Sequence, residues 1–152
     1  MKNSTQIAAG VLVAASLTIG VALATPGSGA VGTLLARGTT FERVDIKTDP
    51  HEPSDIVVAH ATVAPSGYSG WHSHPGFVLA SITAGTLTLY DADDPSCTPR
   101  YVSAGQAFIE KPGHVHFARN EGTVPEQHVS TYVLPVGSPT VTDAPNPGNC
   151  PF

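Results

Sequence analysis

Gly67-Tyr68-Ser69-Gly70-Trp71-His72-Ser73-His74 decides the reading of this chain, together with His116, 42 residues beyond His74, in Pro112-Gly113-His114-Val115-His116-Phe117-Ala118-Arg119-Asn120. Side chains alternate along a strand with period 2, so His72 and His74 share a face. His116, from a distant strand, closes a third side of a coordination polyhedron. Neutral imidazole is the commonest protein ligand for divalent transition metals, and three of them leave a position open for a reactant. Without a metal, three convergent rings need other partners for their nitrogens, because unpaired buried polar groups are costly.

Around this stretch, short extended runs alternate with turn signals every eight to twelve residues, the spacing of a sandwich or barrel. Ile56–Val63 reads as a strand from its β-branched content, ended by Pro65-Ser66-Gly67. Phe77–Thr83 and Thr86–Tyr90 flank Ala84-Gly85, read as a hairpin turn. A long acidic loop, Asp91–Pro99, leads to a short strand at Arg100–Val102, and Ala104-Gly105 turns the chain into Gln106–Glu110. Lys111-Pro112-Gly113 turns it again into His114–Arg119, and the last good strand is about Gln127 to Leu134. No mature segment sustains a 3.6-residue period, so the expected class is all-β. A closed or double-sheet barrel buries such strands without leaving edges.

With 15 Gly, 14 Pro and 12% charged residues among 152, the composition suits one turn-rich β domain. The 12 Asp+Glu outnumber the 7 Lys+Arg, and no basic stripe exists, so nucleic acid is rejected as a partner. Lys2 precedes a mostly apolar run, Ile7 to Ala24, closing on Ala22-Leu23-Ala24. This is the pattern of a secretory signal cleaved after Ala24. The competing reading is an uncleaved anchor, and only then would the protein associate with a membrane. Either way the domain is expected outside the cytoplasm. Residues 25–38 read as a linker, 39–138 as the barrel and 139–152 as a Pro-rich tail. In an exported chain the two cysteines, Cys97 and Cys150, most simply form a disulfide that ties this tail to the acidic loop.

The Gly67–His74 stretch, with Gly85 behind it, resembles the first motif of the cupins, and Gly105 to Asn120 resembles the second. The resemblance covers roughly residues 55–135. It implies a small double-stranded β-helix barrel holding a divalent metal (iron, manganese, zinc or nickel) by His72, His74 and His116. Dimers paired through their sheets are a family expectation. Two departures stand out. Seven residues before the hairpin glycine the family usually supplies a glutamate ligand, and here that position is Val78 between Phe77 and Leu79. Lys111 also stands where proline is usual in the second motif, with Pro112 next. Some three-histidine cupins, among them thiol and diketone dioxygenases, work without the carboxylate, and others have lost the metal.

Two residues are candidates for a fourth ligand. Glu110, ending a strand beside the same turn, would restore a three-nitrogen, one-oxygen set. His114 shares parity with His116 if its strand is regular from the first residue. Each has a plainer reading as a surface residue at a turn. His60 and His128 lie on expected strands, where either could line the pocket or face solvent, with solvent the default, and His51 sits in a surface loop. Trp71 has the opposite parity to His72 and packs outside the pocket or at its rim, while Asn120 reads as a turn residue tolerant of the left-handed conformation. The implied function is a metal-dependent dioxygenase or lyase/isomerase acting on a small molecule. The alternative is a non-enzymatic module that binds or senses a small ligand.

Overall fold

A computed structural model describes residues 32–49 and 51–152. The expected export segment, residues 1–24, lies outside the described residues. Nine strands and no helix are found among them: β1 (Ser54–Val63), β2 (Tyr68–Ser73), β3 (Phe77–Ala84), β4 (Thr86–Asp91), β5 (Arg100–Ser103), β6 (Ala107–Glu110), β7 (His116–Arg119), β8 (Glu126–Pro135) and β9 (Thr142–Asp143). They form a four-stranded sheet, β1-β8-β3-β6, and a five-stranded sheet, β5-β4-β7-β2-β9. The inner faces meet in one apolar cluster: Ala80 and Ile82 of β3 and Phe108 of β6 against Leu87 and Leu89 of β4 and Val102 of β5. This is the expected all-β double-stranded β-helix.

Gly85 does not make a hairpin. It takes φ +71° between β3 and β4, which lie in different sheets and pair with different neighbours. A side chain there would press on the Pro125 carbonyl at 2.9 Å, so glycine lets the chain turn a corner against β8. The turn dipeptide marked the end of a strand correctly. Turn chemistry alone cannot say whether the next strand returns beside the last or crosses to the facing sheet.

A second apolar cluster, Trp71, Tyr90, Phe117 and Cys150, packs with Cys97 and Ala144. The tail covers these aromatic rings. Cys150 is disulfide-bonded to Cys97, Thr142–Asp143 pair with β2, and the Ala144 N–H donates to the Trp71 carbonyl at 2.9 Å. Trp71 therefore lies outside the barrel interior, as its parity requires.

Asn120 corrects the reading as a left-handed turn residue, for its φ is not positive. It is 1% exposed. Its amide Nδ2 donates to the Val63 and Val124 carbonyls, both at 2.8 Å, and its Oδ1 accepts from the Gly122 N–H at 2.9 Å. One side chain thus satisfies three backbone groups where β1, β7 and the approach to β8 converge. Asn120→Ala strands these groups and is expected to cost about 3 kcal/mol, measured as a lower urea midpoint with an unchanged slope.

Candidate metal centre

The register of β2 on β7 assembles the site. His72 lies directly opposite His116, and Trp71 opposite Phe117, with a shift in the pairing between Tyr68 and Trp71. Gly70, at φ +76°, sits in that bulge and supplies the conformation that other residues resist. The inserted residue re-aims β2, so that His72 faces inward on the side of His116. His74 follows β2, and its carbonyl accepts the Gly113 N–H at 2.9 Å, binding the two motifs together. One ligand-capable nitrogen from each of His72, His74 and His116 lies within 4.8 Å of the others. The residues are 7%, 4% and 2% exposed, so bulk water hardly reaches them.

Each ring is held from behind. His72 Nδ1 bonds the Gly70 carbonyl, His116 Nδ1 the His114 carbonyl and His74 Nδ1 the Thr140 carbonyl. A carbonyl only accepts, so Nδ1 carries the proton and Nε2 of a neutral ring keeps its lone pair. All three tautomers are thereby set for coordination through Nε2.

Glu110 stands against two of the three rings. Its Oε2 lies 3.0 Å from His74 Nε2 and its Oε1 2.9 Å from His116 Nε2. The His116 contact is short but poorly aligned: this buried nitrogen has no hydrogen-bond partner of acceptable direction among the described residues. Burial alone would raise the Glu110 carboxyl, but the imidazoles of His116 and His74 outweigh it and hold the group far below the usual carboxylate range. At His116 burial works downward, and the Glu110 carboxylate overcomes it and raises the imidazole. His72 is lowered by burial, only partly opposed by the Gly70 carbonyl. Three Nε2 atoms, one of them orphaned, and a buried carboxylate form a donor set that suits a divalent transition metal.

A family model described as the cupin domain matches residues 59–132. The barrel is a cupin domain. None of the curated proteins matches the chain. Among solved structures, the cupin fold is shared with a conserved double-stranded β-helix protein from Klebsiella pneumoniae, at 22% identity and TM-score 0.50, over 65% of this chain and 91% of that one. The polyketide cyclase RemF from Streptomyces resistomycificus is 18% identical with TM-score 0.50, over 71% and 90% of the two chains. The DMSP lyase DddQ from Ruegeria pomeroyi is 17% identical with TM-score 0.52, over 61% of this chain and 45% of the lyase. At such identities the likeness carries the fold alone.

The cupin register also locates the carboxylate. Val78, where the family usually has glutamate, pairs directly with Glu110 of the neighbouring strand β6. Directly opposed residues share a face, and both are buried. The acidic group therefore stands one strand away, at the same height in the barrel. His114 stands apart from the cluster: β7 begins only at His116, so the parity that would turn both rings inward does not apply. Its Nε2 faces Asp93 at 3.3 Å, and the side chain is 37% exposed. His60 and His51 are exposed. His128 departs from its solvent default and lines the barrel cavity, bonded to the buried Glu126, which sequence reasoning did not single out. Alternation with Ser130 and Tyr132 along the last strand was the available signal.

Because Thr140 belongs to the stapled tail, the disulfide and the His74 ring are coupled. Cys97→Ser/Cys150→Ser should shift the His74 imidazole nitrogen resonances more than those of His72. The chain-entropy model for a separation of 53 residues puts the accompanying loss of stability at about 4 kcal/mol, read by denaturant unfolding.

Proposed function

We propose that this cupin domain belongs to an exported protein and uses His72, His74, His116 and Glu110 to hold one divalent transition metal, iron, manganese, zinc or nickel, for chemistry on a small molecule. The observation that carries the reading is the set of three Nδ1–carbonyl bonds, which commits Nε2 of each neutral ring to coordination, with one ligand-capable nitrogen of each ring within 4.8 Å of the others. Bound there, the ion supplies Lewis acidity or a redox centre to an oxygen-bearing ligand, as a dioxygenase or a lyase/isomerase requires. Glu110 offsets part of the cation's charge. The Tyr132 ring lies 5.7 Å from that of His74, and burial raises its phenol, so it remains protonated as a hydrogen-bond donor beside the site. Export is supported by the Cys97–Cys150 bond, which persists in oxidising compartments.

The second reading is a binding or sensing module. It is favoured by the apolar residues of the barrel cavity, among them Val63, Leu87 and Phe108. Metal analysis with oxygen uptake separates the two. Redox-active iron with uptake on adding phenols, diketones or thiols supports a dioxygenase, and protein that holds no metal supports the module.

His74→Ala is expected to remove most bound metal while the β circular dichroism persists. Glu110→Val should weaken metal binding by at least about 10- to 100-fold, the loss that removing even an outer-shell partner of a metal ligand brings. The exchange Val78→Glu with Glu110→Val should recover much of that loss, because the two positions face each other across β3 and β6. Calorimetric titration of the three proteins with one metal checks the ordering.

A further inference from the structure

Strand β8 carries a second polar constellation. Glu126, His128, Ser130 and Tyr132 recur at two-residue intervals and share the face that looks into the barrel. Tyr132, beside His74, marks the metal end. A strand rises about 3.3 Å per residue, so His128 lies about 13 Å farther along β8. The register agrees: Tyr132 pairs with Val78, at the height of Glu110, whereas His128 pairs with Ile82. One cavity of about 370 Å³ nevertheless reaches His72, His74 and Glu110 as well as His128.

Glu126 is 0% exposed, and a carboxylate so far from water requires a strong partner. Its two oxygens lie 2.9 Å and 3.0 Å from His128 Nδ1. Nδ1 thus donates to the carboxylate, which in the neutral ring leaves Nε2 as an acceptor on the residue that lines the cavity. Among the described residues no protein group bonds Nε2, and it is not one of the sealed, partnerless atoms. A buried carboxylate is a costly way merely to hold a strand, since an apolar residue of similar volume usually serves as well. The neighbouring walls are hydrocarbon, from Ala61, Val63, Leu87 and Phe108, and neither lysine nor arginine lines the cavity. An anionic head group would find no side-chain counter-charge there. A neutral hydroxyl on an apolar body matches both the acceptor and the walls.

We propose that the His128–Glu126 pair is a second ligand-binding site of the cavity, accepting the hydroxyl of a phenol-type molecule whose body lies along Leu87 and Phe108. The proposal rests on the metal-centre reading only for the destination of the molecule's other end. Glu126 acts as a positioning residue, fixing the tautomer of His128.

Two probes test it on the full chain. 4-Ethylphenol examines the pair alone, titrated calorimetrically into the wild type and into His74→Ala, where the metal centre is disabled. Both should bind it, and His128→Ala should weaken binding about tenfold, the worth of one hydrogen bond in a dry site. Glu126→Gln should weaken it similarly and move the His128 ring nitrogen resonances, and it serves if His128→Ala loosens the barrel. The second probe compares 4-hydroxycinnamate with cinnamate on metal-loaded protein. The hydroxyl should improve affinity about tenfold in the wild type and not at all in His128→Ala. If the metal-centre reading fails, cinnamate binding loses its metal dependence while the His128 effect on 4-ethylphenol remains. Undetectable 4-ethylphenol binding, or equal binding by wild type and the folded variants, overturns the proposal.

Discussion

The antiparallel match of His72 with His116 across β2 and β7 is the constraint on which the site depends. A slip of one residue would send one of the two rings to the opposite face, among the aromatic side chains beneath the tail. The bulge at Gly70 sets that register, and the carbonyl of the same glycine holds the His72 ring. A single backbone feature thus decides both where the imidazole points and which nitrogen is free. His74 and His116 are treated alike, each tied at Nδ1 to a carbonyl outside its own residue. The geometry is therefore stored in the main chain, and side-chain packing only has to keep water out.

Charge follows from that arrangement. Three neutral imidazoles bring no negative charge to offset the desolvation of a buried cation, and Glu110 supplies one from β6. Its placement opposite Val78 means that exchanging the acid between adjacent strands preserves the height of the oxygen donor in the barrel. The opposite arrangement holds at the far end of β8, where the carboxylate of Glu126 is sealed and only the imidazole of His128 meets the cavity. The two ends differ in what they expose: an acid among three imidazoles at one, and a single imidazole at the other.

Much of the fold was legible because turn residues and β-branched runs act locally. Pro65-Ser66-Gly67, Ala104-Gly105 and Lys111-Pro112-Gly113 each fall between strands. The three histidines were legible for the same reason, since parity within a strand and an H-x-H spacing need no knowledge of pairing. Pairing itself was not readable. Gly85 marked a turn whose outcome depended on the facing sheet, and Glu110 and Val78 became neighbours through strands that are not consecutive in the chain. Parity could not decide His114, because the strand starts two residues later, where the Lys111-Pro112-Gly113 turn extends further than its signature. Glu126 went unremarked because an isolated glutamate at a strand's start usually faces solvent. The two residues of β9 are too few to leave any periodic trace.

The Thr140 carbonyl behind His74 lies beyond residue 132, where the match to the cupin domain ends. A gene fragment trimmed to the recognisable domain would encode every imidazole and the acid, yet omit the atom that orients one of them. The same cut would leave Cys97 single and uncover Trp71 and Phe117. For this barrel, the boundary that similarity draws and the boundary that chemistry needs are different places on the chain.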